Sequence, residues 1–220
     1  MLSPNDIPQD SLETLHSLLR KNGCSGCKLG QQEDLQGPVF YRGNLSARWA
    51  IYGEAPGKEE NRTGVPFCGP AGKLLDQMVK YMNLSTEQLP IFSNVSLCRP
   101  IAPPGAGKEN VRPQEIDKNV LSLCRPWTKY LLSSLDIHFI VLAGGTAVDA
   151  FLPNIKKKSL TELLGRTFFN LDQWPGIAFF PIYHPAFLLR KKNNPEAYKP
   201  YQKRTQNLLD IIKEIVLELW

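Results

Sequence analysis

The sequence predicts an α/β protein whose mostly parallel, four-stranded sheet is covered by helices on both faces. Four apolar segments of strand type alternate along the chain with segments of helical periodicity. Three of these strands end in polar or glycine-rich residues, as expected where strands enter loops at the carboxyl edge of an open sheet. With 220 residues, the pattern favours one domain over residues 1–220, carrying an N-terminal helix and a group of cysteines.

The composition is ordinary for a globular protein, with 42% hydrophobic and 21% charged residues. A net charge of +5 and a pI near 8.9 permit a polyanionic partner without requiring one. No apolar run approaches the roughly 18 residues of a membrane span. The N-terminus, Met1–Asp6, lacks the basic start and apolar core of a signal peptide. We therefore expect a cytoplasmic protein.

The N-terminal part of the chain predicts a helix, an edge hairpin and the first central strand. The helix runs from Asp10 to Lys21, because Asp10 and Glu13 match a capping box and leucines recur at helical spacing. A short hairpin is expected around 39–41. The central strand, 48–52, breaks abruptly into glycine, glutamate and proline, which predicts a polar loop at the edge of the sheet.

The rest of the chain continues the alternation of strands and helices. The segment Ile101–Pro113 holds three prolines and two glycines and is expected to be irregular. Pro126 suits the first turn of a helix, so two separate helices are expected on either side of Cys124. The remaining predicted elements are helix 71–82, strand 91–98, helices 114–123 and 124–135, strand 138–143, helix 146–151, strand 178–183 and helix 197–219.

Polar side chains follow three of the four predicted strands. Glu54, Asn94 and His184 each stand at a strand end, and such ends share one edge of a parallel sheet. Each residue also has an ordinary interpretation by itself: a solvated carboxylate, a turn-capping amide or a structural histidine. Their common edge favours a single site instead.

Four cysteines have a spacing that favours a metal centre. Cys24 and Cys27 form a close pair, and Cys98 and Cys124 follow much later. Thiolates suit zinc or an iron–sulfur cluster, and the spacing does not choose between them. Buried thiols without metal are the alternative. Cys68 lies apart from these four and is expected to be a small packing residue.

The residues around the strand ends together form a specific set of motifs. They are Gly53–Gly57 with Glu60, then Gly64–Asp76, Ser93–Val95 leading into Cys98–Pro100, and His184–Arg190. In this order, and with the four cysteines, they resemble the motifs of family-4 uracil-DNA glycosylases, the iron–sulfur class. The resemblance covers Cys24 to Arg190, which is nearly the whole chain.

The resemblance implies a three-layer αβα fold and an enzyme that removes uracil from DNA, leaving an abasic site. It also implies a 4Fe-4S cluster held by Cys24, Cys27, Cys98 and Cys124. Uracil-containing DNA, single- or double-stranded, is the expected partner, and the enzyme is expected to act as a monomer without membrane attachment.

Roles for individual residues follow from the same resemblance. Phe67 is expected to stack on the extruded base, and Asn94 to pair with its polar edge. His184 is expected to stabilise the departing uracil anion, and Glu54 to activate water or support the cationic sugar. The expected pocket also includes Gly53, Ala55, Pro56, Gly57 and Glu60. Arg190 and Lys191 are expected to contact DNA phosphates.

Two departures from the family pattern stand out. Cys68 replaces a residue that is usually aliphatic, and Ile101–Asn110 resembles an insertion between the later cysteines. Gly57 has no side chain that excludes the 5-methyl group of thymine. Two alternatives of other classes stay open: a nucleic-acid-binding member of the fold that has lost hydrolysis, and a zinc-stapled nucleoside hydrolase.

Overall fold

A six-stranded mixed sheet forms the centre of the molecule. The structure is a computed structural model that describes residues 11–24, 28–31, 35–100, 116, 118–156 and 159–220. The spatial order of the strands is β1-β3-β2-β4-β6-β5. Their bounds are β1 Tyr41–Gly43, β2 Trp49–Gly53, β3 Ile91–Asn94, β4 Phe139–Ala143, β5 Phe168–Phe169 and β6 Ala178–Ile182.

The four inner strands, β3, β2, β4 and β6, are parallel and confirm the predicted sheet. The two outer strands are antiparallel and raise the total from the expected four to six. β1 pairs directly with β3, with Tyr41 opposite Ser93, so the hairpin expected around 39–41 is wrong. β5 has two residues, which is too short for any periodic signal in the sequence.

Side chains alternate along the inner strands and build a core on each face of the sheet. In β2, Trp49 and Ile51 contribute to one core, whereas Ala50 and Tyr52 contribute to the other. All five residues of β2 are buried, as in a parallel sheet that has helices on both sides. The predicted covering of both faces, and with it the αβα arrangement, is confirmed.

Helices form the two outer layers. Residues of α1, α4 and α5 pack in the core with Tyr52, and residues of α3, α6 and α7 pack in the core with Trp49. The bounds are α1 Leu12–Asn22, α2 Lys58–Thr63, α3 Pro70–Tyr81, α4 Lys118–Ser133, α5 Gly145–Phe151, α6 Pro185–Lys192 and α7 Pro195–Leu217. None of the described helices has the length and apolar character needed to cross a membrane.

The differences from the predicted helix boundaries have a clear physical reason in α1 and α4. α1 begins at Leu12, because the Ser11 side chain accepts the Thr14 amide and acts as the N-cap in place of Asp10. α4 continues through Pro126 where the sequence predicted a break. Trp127 and Leu131 are almost fully buried in the turns that follow, and this packing outweighs the one helical hydrogen bond that proline removes.

Some predictions fall on residues that the structure does not describe. They concern Asp10, Cys27, the irregular segment Ile101–Pro113 and the start of the helix expected at Gln114. These predictions lie outside the described residues and stay predictions.

Candidate active site

A cleft of about 510 Å³ opens at the carboxyl edge of the parallel strands. Glu54, Asn94 and His184 all line it, so the structure brings together the three strand-end residues named from the sequence. Register explains the convergence, because Gly53 at the end of β2 lies opposite Asn94 at the end of β3. Phe67, Glu60 and the segment Ala55–Gly57 also line the cleft, whereas Gly53 is not among its lining residues.

Glu54 follows β2 and is partly exposed in the cleft. The Thr146 hydroxyl donates a hydrogen bond of 2.7 Å to Glu54 Oε2 and so fixes the orientation of the carboxylate. Thr146 lies in the first turn of α5, directly after Gly144 and Gly145, which line the same cleft. Sequence reasoning missed Thr146, although the glycine pair after β4 marks a fourth strand end at this edge.

Asn94 is the last residue of β3 and is only 1% exposed. Its Oδ1 atom has no hydrogen-bond partner among the described residues, although burial normally demands one. A Cβ built on Gly53 would stand 2.7 Å from this oxygen and 2.5 Å from Phe67 Cζ. The side chains of Asn94 and Phe67 therefore both pack directly against Gly53, where a larger residue would displace them. The buried Asn94 Oδ1 can accept a hydrogen bond from a bound molecule.

Phe67 adopts a left-handed backbone conformation, with φ of 55°, that is uncommon for an aromatic residue. Its turn is held from two sides. Arg42 Nε donates to the Pro66 carbonyl at 2.7 Å, and Gly72 leaves room for the Phe67 carbonyl, which would be 1.7 Å from a Cβ at that glycine. The ring is 5% exposed and its centroid lies 6.4 Å from that of His184.

Glu60 joins the two halves of the loop that surrounds the cleft. It is buried in α2, and its Oε1 accepts the Gly69 amide at 2.8 Å. Side chains at the neighbouring glycines would collide with the carboxylate: a Cβ at Gly57 would lie 2.6 Å from Oε2, and one at Gly69 would lie 3.0 Å from Oε1. A side chain at Gly57 would therefore force the Glu60 carboxylate to shift.

His184 forms the N-cap of α6, and this fixes which ring nitrogen faces the backbone. Nδ1 accepts the Ala186 amide at 3.1 Å, so the proton of the neutral ring is on Nε2. Burial lowers the pKa of His184 from 6.5 to about 4, and the positive charge of Arg190 acts in the same direction. At neutral pH His184 is an uncharged donor through Nε2.

The two residues expected to contact DNA lie differently on α6. Arg190 is exposed and lines the cleft. The Lys191 ammonium is 5.5 Å from the ring centroids of Phe187 and Tyr201. These distances fit a cation–π arrangement, and they place Lys191 against the junction of α6 and α7.

Three of the four cysteines named as metal ligands line one small cavity. Cys24 follows α1, Cys98 follows β3 and Cys124 lies in α4, so the cavity joins three remote parts of the chain. Among the described residues, no group of three or more His, Cys, Asp or Glu side chains by itself forms a metal site, and Cys27 lies outside them. Three converging thiols fit the soft-ligand chemistry of zinc or iron–sulfur centres.

Cys68 is separate from that cavity, as the sequence predicted. Its sulfur lies 3.1 Å from the Thr63 hydroxyl, beside the loop that contains Phe67. It therefore contributes to local packing near the cleft.

Comparison with known proteins identifies a family. The model of the Uracil DNA glycosylase superfamily matches residues 40–209. A Type-4 uracil-DNA glycosylase of Thermotoga maritima is 30% identical over 186 residues, covering 84% of this chain and 87% of that protein. Proteins of the same name from Saccharolobus solfataricus and Archaeoglobus fulgidus are 32% and 28% identical, covering 82% and 90% of this chain and 78% and 94% of theirs.

The low pKa of His184 predicts a specific dependence of stability on pH. Between 6.5 and about 4, an unfolded chain binds a proton at His184 that the folded chain does not, so the free energy of unfolding decreases as the pH falls through this window. We expect the stability advantage of the wild type over His184→Asn, which keeps an N-cap acceptor, to shrink over the same window. Urea unfolding at a series of pH values measures it, and parallel stability curves would contradict the assignment.

Proposed function

Because the chain belongs to the uracil DNA glycosylase superfamily, we propose that it is a base-excision repair enzyme that hydrolyses the N-glycosidic bond of uracil in DNA and leaves an abasic site. The observation that carries the proposal is the meeting of Glu54, Asn94, Phe67 and His184 in one cleft. Chemistry on a stacked base requires that the nucleotide be extruded into such a pocket. All of these groups come from one chain, so a monomer suffices.

Phe67 and Asn94 recognise the base in this proposal. The Phe67 ring provides a flat apolar surface on which the extruded base stacks. The Asn94 amide accepts from uracil N3–H through the buried Oδ1, and it donates to O4 through Nδ2. Cytosine presents a donor in place of O4 and an acceptor in place of N3–H, so its binding leaves mispaired polar groups in a buried site.

His184 stabilises the leaving group. As the C1′–N1 bond breaks, negative charge develops on uracil O2, and a donor aimed at that oxygen lowers the barrier. The Ala186 amide holds the His184 proton on Nε2, and burial keeps the ring neutral, so the donor is present at physiological pH without a titration step. A neutral donor also avoids the desolvation cost of a buried imidazolium.

Glu54 acts on the sugar side of the bond. Thr146 engages Oε2, which leaves the carboxylate oriented and with acceptor capacity for a water. A negative charge at this position also favours the oxocarbenium-like sugar that forms as the base departs. The electron pair of the broken bond leaves with uracil, the hydroxyl of water adds to C1′, and the proton of that water passes to Glu54 and finally neutralises the uracil anion.

The four cysteines hold a 4Fe-4S cluster in this proposal: Cys24, Cys27, Cys98 and Cys124. Hydrolysis transfers no electrons, so the cluster serves structure by cross-linking the end of α1, the segment after β3 and α4. Arg190 at the rim of the cleft meets a DNA phosphate, and Lys191 adds positive charge along the same helix.

Single-turnover excision from uracil-containing DNA tests the activity and the roles of His184 and Glu54. We expect the wild type to excise uracil and His184→Ala to be slower by about 10²- to 10³-fold, the usual loss for one preorganised donor. Glu54→Gln is expected to be slower too, with the double variant losing less than the product of the single losses. DNA affinity at fixed salt is expected to change little.

The matched control for this series is His138→Ala. His138 is exposed and pairs with Asp136, and it precedes β4 at the opposite edge of the sheet. Its replacement is expected to leave the rate unchanged. Wild-type rates in both His184→Ala and Glu54→Gln would refute the site, and a wild type that binds uracil-containing DNA without cleaving it would favour a member that has lost hydrolysis.

Base discrimination is expected to depend on Asn94. In Asn94→Asp, a carboxylate accepts from the cytosine amino group, and its protonated form donates to cytosine N3, so excision of uracil falls and discrimination against cytosine relaxes. Competition between uracil- and cytosine-containing strands measures the ratio. Asn154→Asp, on an exposed loop, is the control. An unchanged ratio in Asn94→Asp would show that another residue reads the base.

The metal is expected to be iron. Purified protein should be brown and contain iron with acid-labile sulfide, and Cys124→Ala should lose both and become less soluble. Cys68→Val should keep the full iron content, because Cys68 lies outside the cavity of the other cysteines. Elemental analysis decides the matter: folded, colourless protein with stoichiometric zinc would overturn the iron–sulfur assignment.

A further inference from the structure

Arg20 connects three separate parts of the chain through backbone carbonyls. It lies in the last turn of α1, four residues before Cys24, and is partly buried. One terminal nitrogen donates to the Gly37 carbonyl at 2.8 Å. The other donates to the carbonyls of Asn61 and Arg62, at the end of α2. The planar guanidinium of arginine holds its donors in a fixed fork, which suits acceptors on two sides of the side chain.

Two glycines shape the space around this side chain. A Cβ at Gly64 would lie 2.9 Å from Arg20 Nε, and a Cβ at Gly37 would lie 2.4 Å from the Arg20 carbonyl oxygen. Both glycines also have a left-handed backbone, with φ of 78° and 96°. A side chain at Gly37 would thus collide with the backbone of Arg20, and one at Gly64 would displace the guanidinium, while the left-handed backbone favours glycine at both positions.

On one side, Arg20 acts on the short helix that holds Glu60. α2 has six residues, and Gly64 ends it by donating to the Glu60 carbonyl at 2.8 Å. A positive group on its last carbonyls satisfies acceptors that have no intrahelical partner and complements the helix dipole. Because Glu60 in turn holds the Gly69 amide, the placement of α2 determines where the Phe67 turn lies.

On the other side, Arg20 is linked through the backbone to the segments that carry Cys24 and Cys98. Gly37, whose carbonyl accepts from Arg20, lies two residues before Val39. The Val39 amide donates to the carbonyl of Leu97, the neighbour of Cys98, at 2.7 Å. Cys24 follows directly after Gly23, whose amide closes α1 on the Leu19 carbonyl. Arg20 therefore stands between two of the cluster cysteines and the helix that shapes the pocket.

We propose that Arg20 is a positioning residue that couples the cysteine centre to the base-binding pocket, acting through α2 and Glu60 on the turn that holds Phe67. The expected effect of Arg20 on the rate of excision rests on the proposed function, whereas its expected effect on the Phe67 turn does not. Folding of the cysteine centre fixes the end of α1, Arg20 transfers that position to α2, and the Glu60–Gly69 hydrogen bond transfers it to the turn.

The test compares Arg20→Lys with Arg62→Lys, which changes an exposed arginine on α2 that pairs with Glu59. Lysine keeps the charge but loses the fork, so hydrogen exchange in peptides containing Gly69 is expected to accelerate about tenfold in Arg20→Lys. Peptides from β4 should exchange as in the wild type, and the iron content should be retained. Excision is expected to slow about ten- to a hundredfold, because a pocket displaced by a fraction of an ångström is poorly aligned. Arg62→Lys should match the wild type in all four measurements.

A double variant tests the route. If Arg20 acts through Glu60, Arg20→Lys should cost little in a Glu60→Ala background, which lacks the acceptor of the Gly69 amide, whereas independent residues would give additive losses. Additive losses overturn the proposal. Unchanged exchange at Gly69 also overturns it, and so does iron loss or faster exchange throughout β4, because either would make Arg20 a general stabiliser. A wild type without excision would refute the proposed function, and Gly69 exchange would still decide the coupling.

Discussion

Parallel pairing is the constraint on which the rest of the molecule depends. Since β2, β3, β4 and β6 run in one direction, their carboxyl ends coincide at one edge, and Gly53 lies opposite Asn94 in register. Four polar groups at the cleft stand at a strand end or within three residues of one: Glu54, Asn94, Thr146 and His184. The two cores hold this register rigid, because a slip by one residue would exchange the buried side chains between faces.

Backbone groups and glycines, more than side-chain pairs, orient the functional residues. Asn94 rests against Gly53, His184 packs on Gly144 and is capped by the Ala186 amide, and Glu60 is enclosed by Gly57 and Gly69. Burial then sets the electrostatics, since the same packing that fixes His184 keeps its ring neutral. A site of this kind combines precise geometry with low net charge, which suits the stabilisation of charge that appears only during bond cleavage.

The inner sheet and the strand-end residues were predictable because buried strands and their terminal polar residues leave a signal in adjacent positions. β5 was not, since two residues carry no period, and α4 was divided wrongly at Pro126 because local propensity ignores the burial of Trp127. The roles of Thr146 and Arg20 could not be predicted from the sequence for another reason. Each acts on residues far away in sequence, Glu54 and the end of α2, and only the fold shows that they meet.

The left-handed turn at Phe67 has a consequence for how the cleft selects a base. Such a conformation costs on the order of 1 kcal/mol, and contacts with Arg42, Gly72 and Glu60 maintain it. This part of the cleft wall is therefore shaped by contacts within the protein itself. A base that stacks on Phe67 meets a surface whose backbone is already fixed, so its fit depends on its own shape and not on a rearrangement of this turn.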